Sequence, residues 1–168
     1  MKFIDIEARW ASIAPNVLGK LSEQFESGDW IQGSKVYQFE DFLAKELRAS
    51  GVKSCASGSD ALWLALKLAG VSAGDEIILP PVTFAATLQA IIKVGATPIF
   101  ADVNSETWTI DLESVQEVIT NKTKAIIAVN LCGLPADLIE LQVLTRSRGI
   151  VLIEDSAQGF GSEIEWRP

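Results

Sequence analysis

Two uninterrupted apolar runs, Ala125 to Asn130 and Ile150 to Glu154, constrain the fold more than anything else in the chain. Both are short, rich in β-branched residues and free of polar alternation, so each predicts a strand buried on both faces of a sheet. The segment between them, about Ala136 to Ser147, predicts a helix, and a strand, a helix and a strand at this spacing form a parallel crossover unit. The same order extends upstream. Val36 to Ser50 carries Val36, Phe39, Phe42, Leu43 and Leu47 at helical spacing, with Gly51 behind it. A short apolar stretch, Val52 to Ala56, reads as a strand; Ser57 to Asp60 turns into a helix from Ala61 to about Ala69, ended by Gly70. Glu76 to Leu79 and Thr97 to Val103 are strand-like, Thr83 to Val94 is helical and closed by Gly95, and Asp111 caps a helix over Leu112 to Thr120. The expected fold class is α/β: a three-layer sandwich with a mostly parallel sheet.

A chain of 168 residues with 48 % apolar content fits one domain with a sizeable core. The net charge of −8 argues against nucleic acid as a partner, because phosphate backbones are held by clustered Lys and Arg. Met1 to Trp10 alternates charged and apolar residues and is not a signal peptide, and no stretch reads as a membrane span. Cys55 and Cys132 fit neither a metal-ligand spacing nor a disulfide framework; they read as reduced thiols, small core residues of a cytoplasmic protein. The chain has no histidine, which removes the commonest general base and most zinc sites.

Ligands of an open parallel sheet bind beyond the carboxyl ends of its strands. The segments there are Ser57 to Asp60, Pro80 to Thr87, Asn130 to Pro135 and Asp155 to Gly161. Ser57-Gly58-Ser59-Asp60 joins a glycine, hydroxyls and the free amides of a helix start, a set suited to a phosphate; the plainer reading is that Ser59 or Asp60 caps the helix. Glu154-Asp155 puts a carboxylate at a strand end, where a protonated ring nitrogen would pair with it; helix capping or a distant arginine would also account for it. Phe84 could stack on a planar ligand, although a phenylalanine at the start of an apolar helix is more often core. Gly58 stands alone and Gly159-x-Gly161 lacks a third glycine and a following helix, so a dinucleotide fingerprint is missing, as is a GxxxxGK[ST] phosphate loop.

Seven segments, in order, resemble the sugar aminotransferases of the DegT/StrS family, within the fold-type I class of pyridoxal-phosphate (PLP) enzymes. They are Gly33 to Val36 with Phe39-Glu40, Ser57 to Leu62, Gly74 to Ile78, Pro81 to Thr87, Pro98 to Val103, Lys122 to Ile127 and Glu154 to Gln158. The resemblance implies the N-terminal portion of that class's large domain, with a helical arm over about 1–35 and a cofactor-binding α/β part over about 36–168. It implies that Gly58, Ser59 and the amide of Asp60 hold the cofactor phosphate, that Phe84 stacks on the pyridine ring, that Asp155 pairs with the ring nitrogen and that Gln158 lies by the ring hydroxyl. It further implies a homodimer that converts a nucleotide-linked keto sugar to an amino sugar, with an amino acid as nitrogen donor, in polysaccharide biosynthesis. A flavodoxin-like or nicotinamide-dependent protein would explain the architecture but not Ser57 to Leu62 together with Glu154 to Gln158.

Two departures stand out. At Asn130-Leu131-Cys132 the family commonly carries a histidine and then an aromatic residue. The family's Schiff-base lysine lies downstream of Glu154-Asp155, outside this sequence, while Lys122 and Lys124 belong to a different, non-catalytic motif, so no catalytic residue is expected here. Without that lysine the chain is expected to be inactive in isolation, and a non-catalytic cofactor-binding remnant or interaction module is the alternative reading. The family's sheet places two later strands beside Val52 to Ala56, so open edges and a marginal monomer are expected. Glu163 to Pro168 does not resemble a natural domain end.

Overall fold

A computed structural model describes residues 4–164 and divides the chain into two compact units, through Ser54 and from Cys55 onward. The first unit holds two helices, α1 (Ile6–Ser27) and α2 (Ser34–Glu46). Asp5 caps α1 by accepting from the Ala8 amide at 3.0 Å. At the head of α2, Asp29 accepts from the Ser34 amide at 2.7 Å. Glu40 is the buried residue of α2, and its carboxylate takes Lys53 Nζ at 2.7 Å and the Ser54 amide and hydroxyl at 2.8 Å each. These bonds hold the Glu40 carboxyl down at about 2, the Lys53 ammonium contributing most, followed by the two Ser54 donors.

The same contacts explain one departure from expectation. Val52 to Ala56 forms no strand: the Ser54 amide that a ladder would need is spent on Glu40, and the segment has no sheet neighbour among the described residues. Cys55 is therefore exposed instead of core, and so is Cys132, which sits in a left-handed turn just past a strand end (φ 55°); both are free thiols.

The second unit is a wholly parallel sheet of four strands, β1 (Glu76–Leu79), β2 (Thr97–Phe100), β3 (Thr123–Val129) and β4 (Val151–Asp155), in the order β2-β1-β3-β4. Side chains alternate across it. Ile77, Leu79, Ala125, Ile127 and Val129 face α3 (Gly58–Leu68) and α4 (Ala85–Val94), where they meet Leu62, Leu66, Ala90 and Ile91. Ile78, Ile126 and Ala128 face α5 (Leu112–Val118) and α6 (Leu138–Arg148), where they meet Val115 and Leu141. The result is the expected three-layer sandwich.

Helix boundaries follow local chemistry. Asp111 caps α5 through the Ser114 amide at 2.8 Å, and Gly95 ends α4 at φ 84°, a backbone angle that costs glycine nothing. The expectation for β4 needs correction. Among the described residues it lies at the sheet edge, paired on one side only, and its residues are half-exposed or exposed where the core of β3 is buried. No helix among the described residues is long and apolar enough to cross a membrane.

Candidate functional site

Parallel pairing sends the carboxyl ends of all four strands to one edge. Asp155 is the last residue of β4, Asn130 follows β3, and the loop after β1 leads through Pro80 and Pro81 to α4. The N-terminus of α3 lies at that edge too, because its other end lies near the start of β3: a Cβ built on Gly70 would stand 4.0 Å from Lys124 Cε.

Asp155 is partly buried, and both its oxygens are directed: Oδ2 accepts from the Thr87 hydroxyl at 3.4 Å and Oδ1 from the Ala157 amide at 3.2 Å. Thr87 is fully buried in the first turn of α4, and its hydroxyl also meets that of Thr83 at 2.9 Å. No lysine or arginine among the described residues pairs with Asp155. A carboxylate placed this way lacks a cation, and a protonated ligand nitrogen would supply one.

Phe84 is the residue before α4 and stands 76 % exposed, so it is not core; its ring is free at the strand edge, one turn from Thr87. Gln158 Oε1 accepts from the Cys132 amide at 2.8 Å. Because a backbone N–H can only donate, that bond fixes the carboxamide's orientation and leaves Nε2 as the group able to donate to a ligand oxygen.

The start of α3 differs in detail from expectation. The cap is Ser57, whose Oγ accepts from the Asp60 amide at 3.2 Å, and neither Ser59 nor Asp60 caps. The amides of Gly58 and Ser59 have no partner among the described residues, and a Cβ built at Gly58 meets nothing within 4 Å. Open space against two unpaired helix-start amides suits an anion. The Asp60 carboxylate, a negative charge at the same place, is drawn toward Lys93 Nζ at 3.5 Å, which also lies 4.2 Å over the Trp63 ring. No hydrogen bond or ion pair among the described residues joins the Ser57 to Asp60 turn to Asp155; the two share an edge of the sheet.

Residues 12–168 match the model of the DegT/DnrJ/EryC1/StrS aminotransferase family. The chain belongs to that family. It is 37 % identical over 161 residues to the UDP-N-acetyl-3-dehydro-alpha-D-glucosamine 3-aminotransferase of Acidithiobacillus ferrooxidans, covering 96 % of this chain and 44 % of that protein. It superposes on DesV of S. venezuelae with a TM-score of 0.93 at 32 % identity, over 95 % of this chain and 43 % of DesV. Spr1654 of Streptococcus pneumoniae, in a PLP form, matches with a TM-score of 0.85 at 31 % identity, over 90 % of this chain and 42 % of its own. The 168 residues thus span less than half the length of each of these proteins. The fold assigned to the DegT/StrS family from sequence motifs is the fold observed.

Sequence reading missed three groups at this edge: Thr87, Asn130 and Ser156. Thr87 and Ser156 lie inside recognised motifs, but nothing in those motifs says which of their residues meet. Asn130 stands in a strand-end segment and at a departure from the family pattern, but neither assigns it a role, since the two side chains its carboxamide donates to are 24 and 26 residues away.

Proposed function

We propose that this chain is the cofactor-binding part of a PLP-dependent sugar aminotransferase that turns a nucleotide-linked keto sugar into an amino sugar. The net exchange balances: the amino-acid donor leaves as a 2-oxo acid, and the sugar carbonyl becomes an amine. The observation that carries the reading is the directed Asp155 carboxylate, without a cation among the described residues, at the end of a parallel strand in a member of this family. The nucleotide-sugar substrate is supported by the Acidithiobacillus relative, whose name specifies a UDP-linked keto sugar.

The residues present fit the cofactor. Its phosphate suits the open space over Gly58, with the Gly58 and Ser59 amides and the Ser59 hydroxyl as donors; the Asp60 amide, expected to join them, instead donates to Ser57 Oγ. Phe84 offers an exposed ring face for the pyridine, and Gln158 Nε2 a donor for the ring oxygen. When bound, PLP supplies an electron-withdrawing ring that stabilises negative charge at the substrate carbon. Asp155 keeps the ring nitrogen protonated by holding a negative charge against it, while Thr87 and Ala157 keep the carboxylate turned toward the site. The lysine that anchors the cofactor lies, by the family resemblance, downstream of Gln158. By the family resemblance, the whole protein works as a homodimer.

The test is a PLP titration followed by borohydride reduction of the 168-residue chain. Saturable binding that weakens by at least tenfold in Asp155→Ala, with no lysine adduct by mass spectrometry, is the expected result. Binding indifferent to Asp155→Ala refutes the assignment of the ring-nitrogen partner. An adduct on a lysine among residues 1–168 refutes the placement of the anchor downstream of Gln158.

A further inference from the structure

Asp155 ends a strand that is paired on one side only among the described residues, a position where the backbone should fray. What holds it lies on the opposite face of the sheet. Asn130 is 2 % exposed, and its backbone amide donates to the Asp155 carbonyl at 3.0 Å. Its carboxamide Nδ2 donates to Glu154 Oε1 at 2.6 Å and to Ser156 Oγ at 2.7 Å, and Ser156 Oγ closes the ring by donating to the same Glu154 oxygen at 2.6 Å. Oδ1 accepts from the Ala136 amide at 3.0 Å, which settles which end of the carboxamide is oxygen. The two neighbours of Asp155 in sequence are thus tied down by one buried side chain, and strand alternation sends Asp155 to the other face, toward Thr87.

We infer that Asn130 is a positioning residue for the Asp155 carboxylate, acting through Glu154 and Ser156. The inference rests on the proposed pairing of Asp155 with the cofactor nitrogen. An asparagine serves here because the clamp needs two donors and one acceptor in a plane; an aspartate would face Glu154 with a second carboxylate. Gly159 packs against the same device: a Cβ there would stand 3.0 Å from Asn130 Cβ, a contact tight enough that Asn130 would have to shift by a few tenths of an ångström. The loop is stitched again by Ser162 Oγ donating to the Gly133 carbonyl at 2.6 Å.

The experiment uses the full chain with PLP labelled with ¹⁵N in the ring, whose chemical shift reports protonation of that nitrogen. Asn130→Asp keeps the side-chain shape and an acceptor for Ala136 but removes both donors. It is expected to move the ring signal toward the unprotonated position and to weaken PLP binding by about tenfold. In an Asp155→Asn background the same change is expected to add nothing, because it acts through the missing carboxylate. Should Asn130→Asp fail to fold, Glu154→Ala with Ser156→Ala removes the clamp from its accessible side and is read the same way. A wild-type ring signal in the clamp variants, or losses that add to those of Asp155→Asn, overturns the inference and leaves the role of Asp155 standing. An unchanged signal in Asp155→Asn alone sinks the role of Asp155, and the inference with it.

Discussion

Replacing Gly58 with alanine separates a structural glycine from one kept small for a ligand. Gly58 is the first residue of α3, and a Cβ there meets no atom within 4 Å, so the methyl costs no packing. Glycine in a helix is about 1 kcal/mol worse than alanine, less in the first turn, so Gly58→Ala should stabilise by about 0.5 kcal/mol and raise Tm by about 1–2 °C. The same methyl intrudes on the space assigned to the phosphate and holds it off the Gly58 and Ser59 amides. Losing one hydrogen bond to a charged group costs about 1.5–3 kcal/mol, or a rise in PLP Kd of about 10- to 150-fold. Thermal melts without ligand and a PLP titration read the two effects on one sample. Opposite signs, a higher Tm with weaker binding, are the expected outcome. Unchanged binding in a protein that melts as expected refutes the placement of the phosphate over Gly58, and a large loss of stability refutes the reading of the space as open.

Two further outcomes follow from the hydrogen bonds. Thr87→Val keeps the buried volume but strands the Thr83 hydroxyl and Asp155 Oδ2; a stability loss of about 1 kcal/mol is expected together with a several-fold rise in PLP Kd, and unchanged binding would remove Thr87 from the site. The depressed Glu40 carboxyl adds stability that is fully present above the ordinary glutamate value near 4.3 and lost as pH falls toward about 2, so wild type and Glu40→Gln should differ in Tm near pH 7 and converge in acid. The Lys53 ammonium, raised by the same bond, loses its share only as pH climbs through its own elevated value.

The order of elements, the parallel sheet and the family were legible in the residues alone. Those are local properties: β1 spans Glu76–Leu79 as its apolar run predicts, Asp111 caps α5 because its carboxylate reaches an amide three residues on, and Gly95 and Gly149 stop helices at backbone angles of φ 84° and φ 66° that other residues resist. The rest came into view with the folded chain, because each remaining feature depends on partners distant in sequence. Val52 to Ala56 reads as a strand until the Ser54 amide finds Glu40, 14 residues back. β3 and β4 both begin from apolar runs that read as buried strands, and among the described residues pairing on both sides makes one core and pairing on one side makes the other edge. The Asp155 carboxylate is visible in the sequence as an acid at a strand end, but its direction is set by Thr87, 68 residues away on one face, and by the Asn130 clamp on the other. A motif can name the residues of a site; which of them meet is fixed by the register of a parallel sheet, whose neighbours are always remote in sequence.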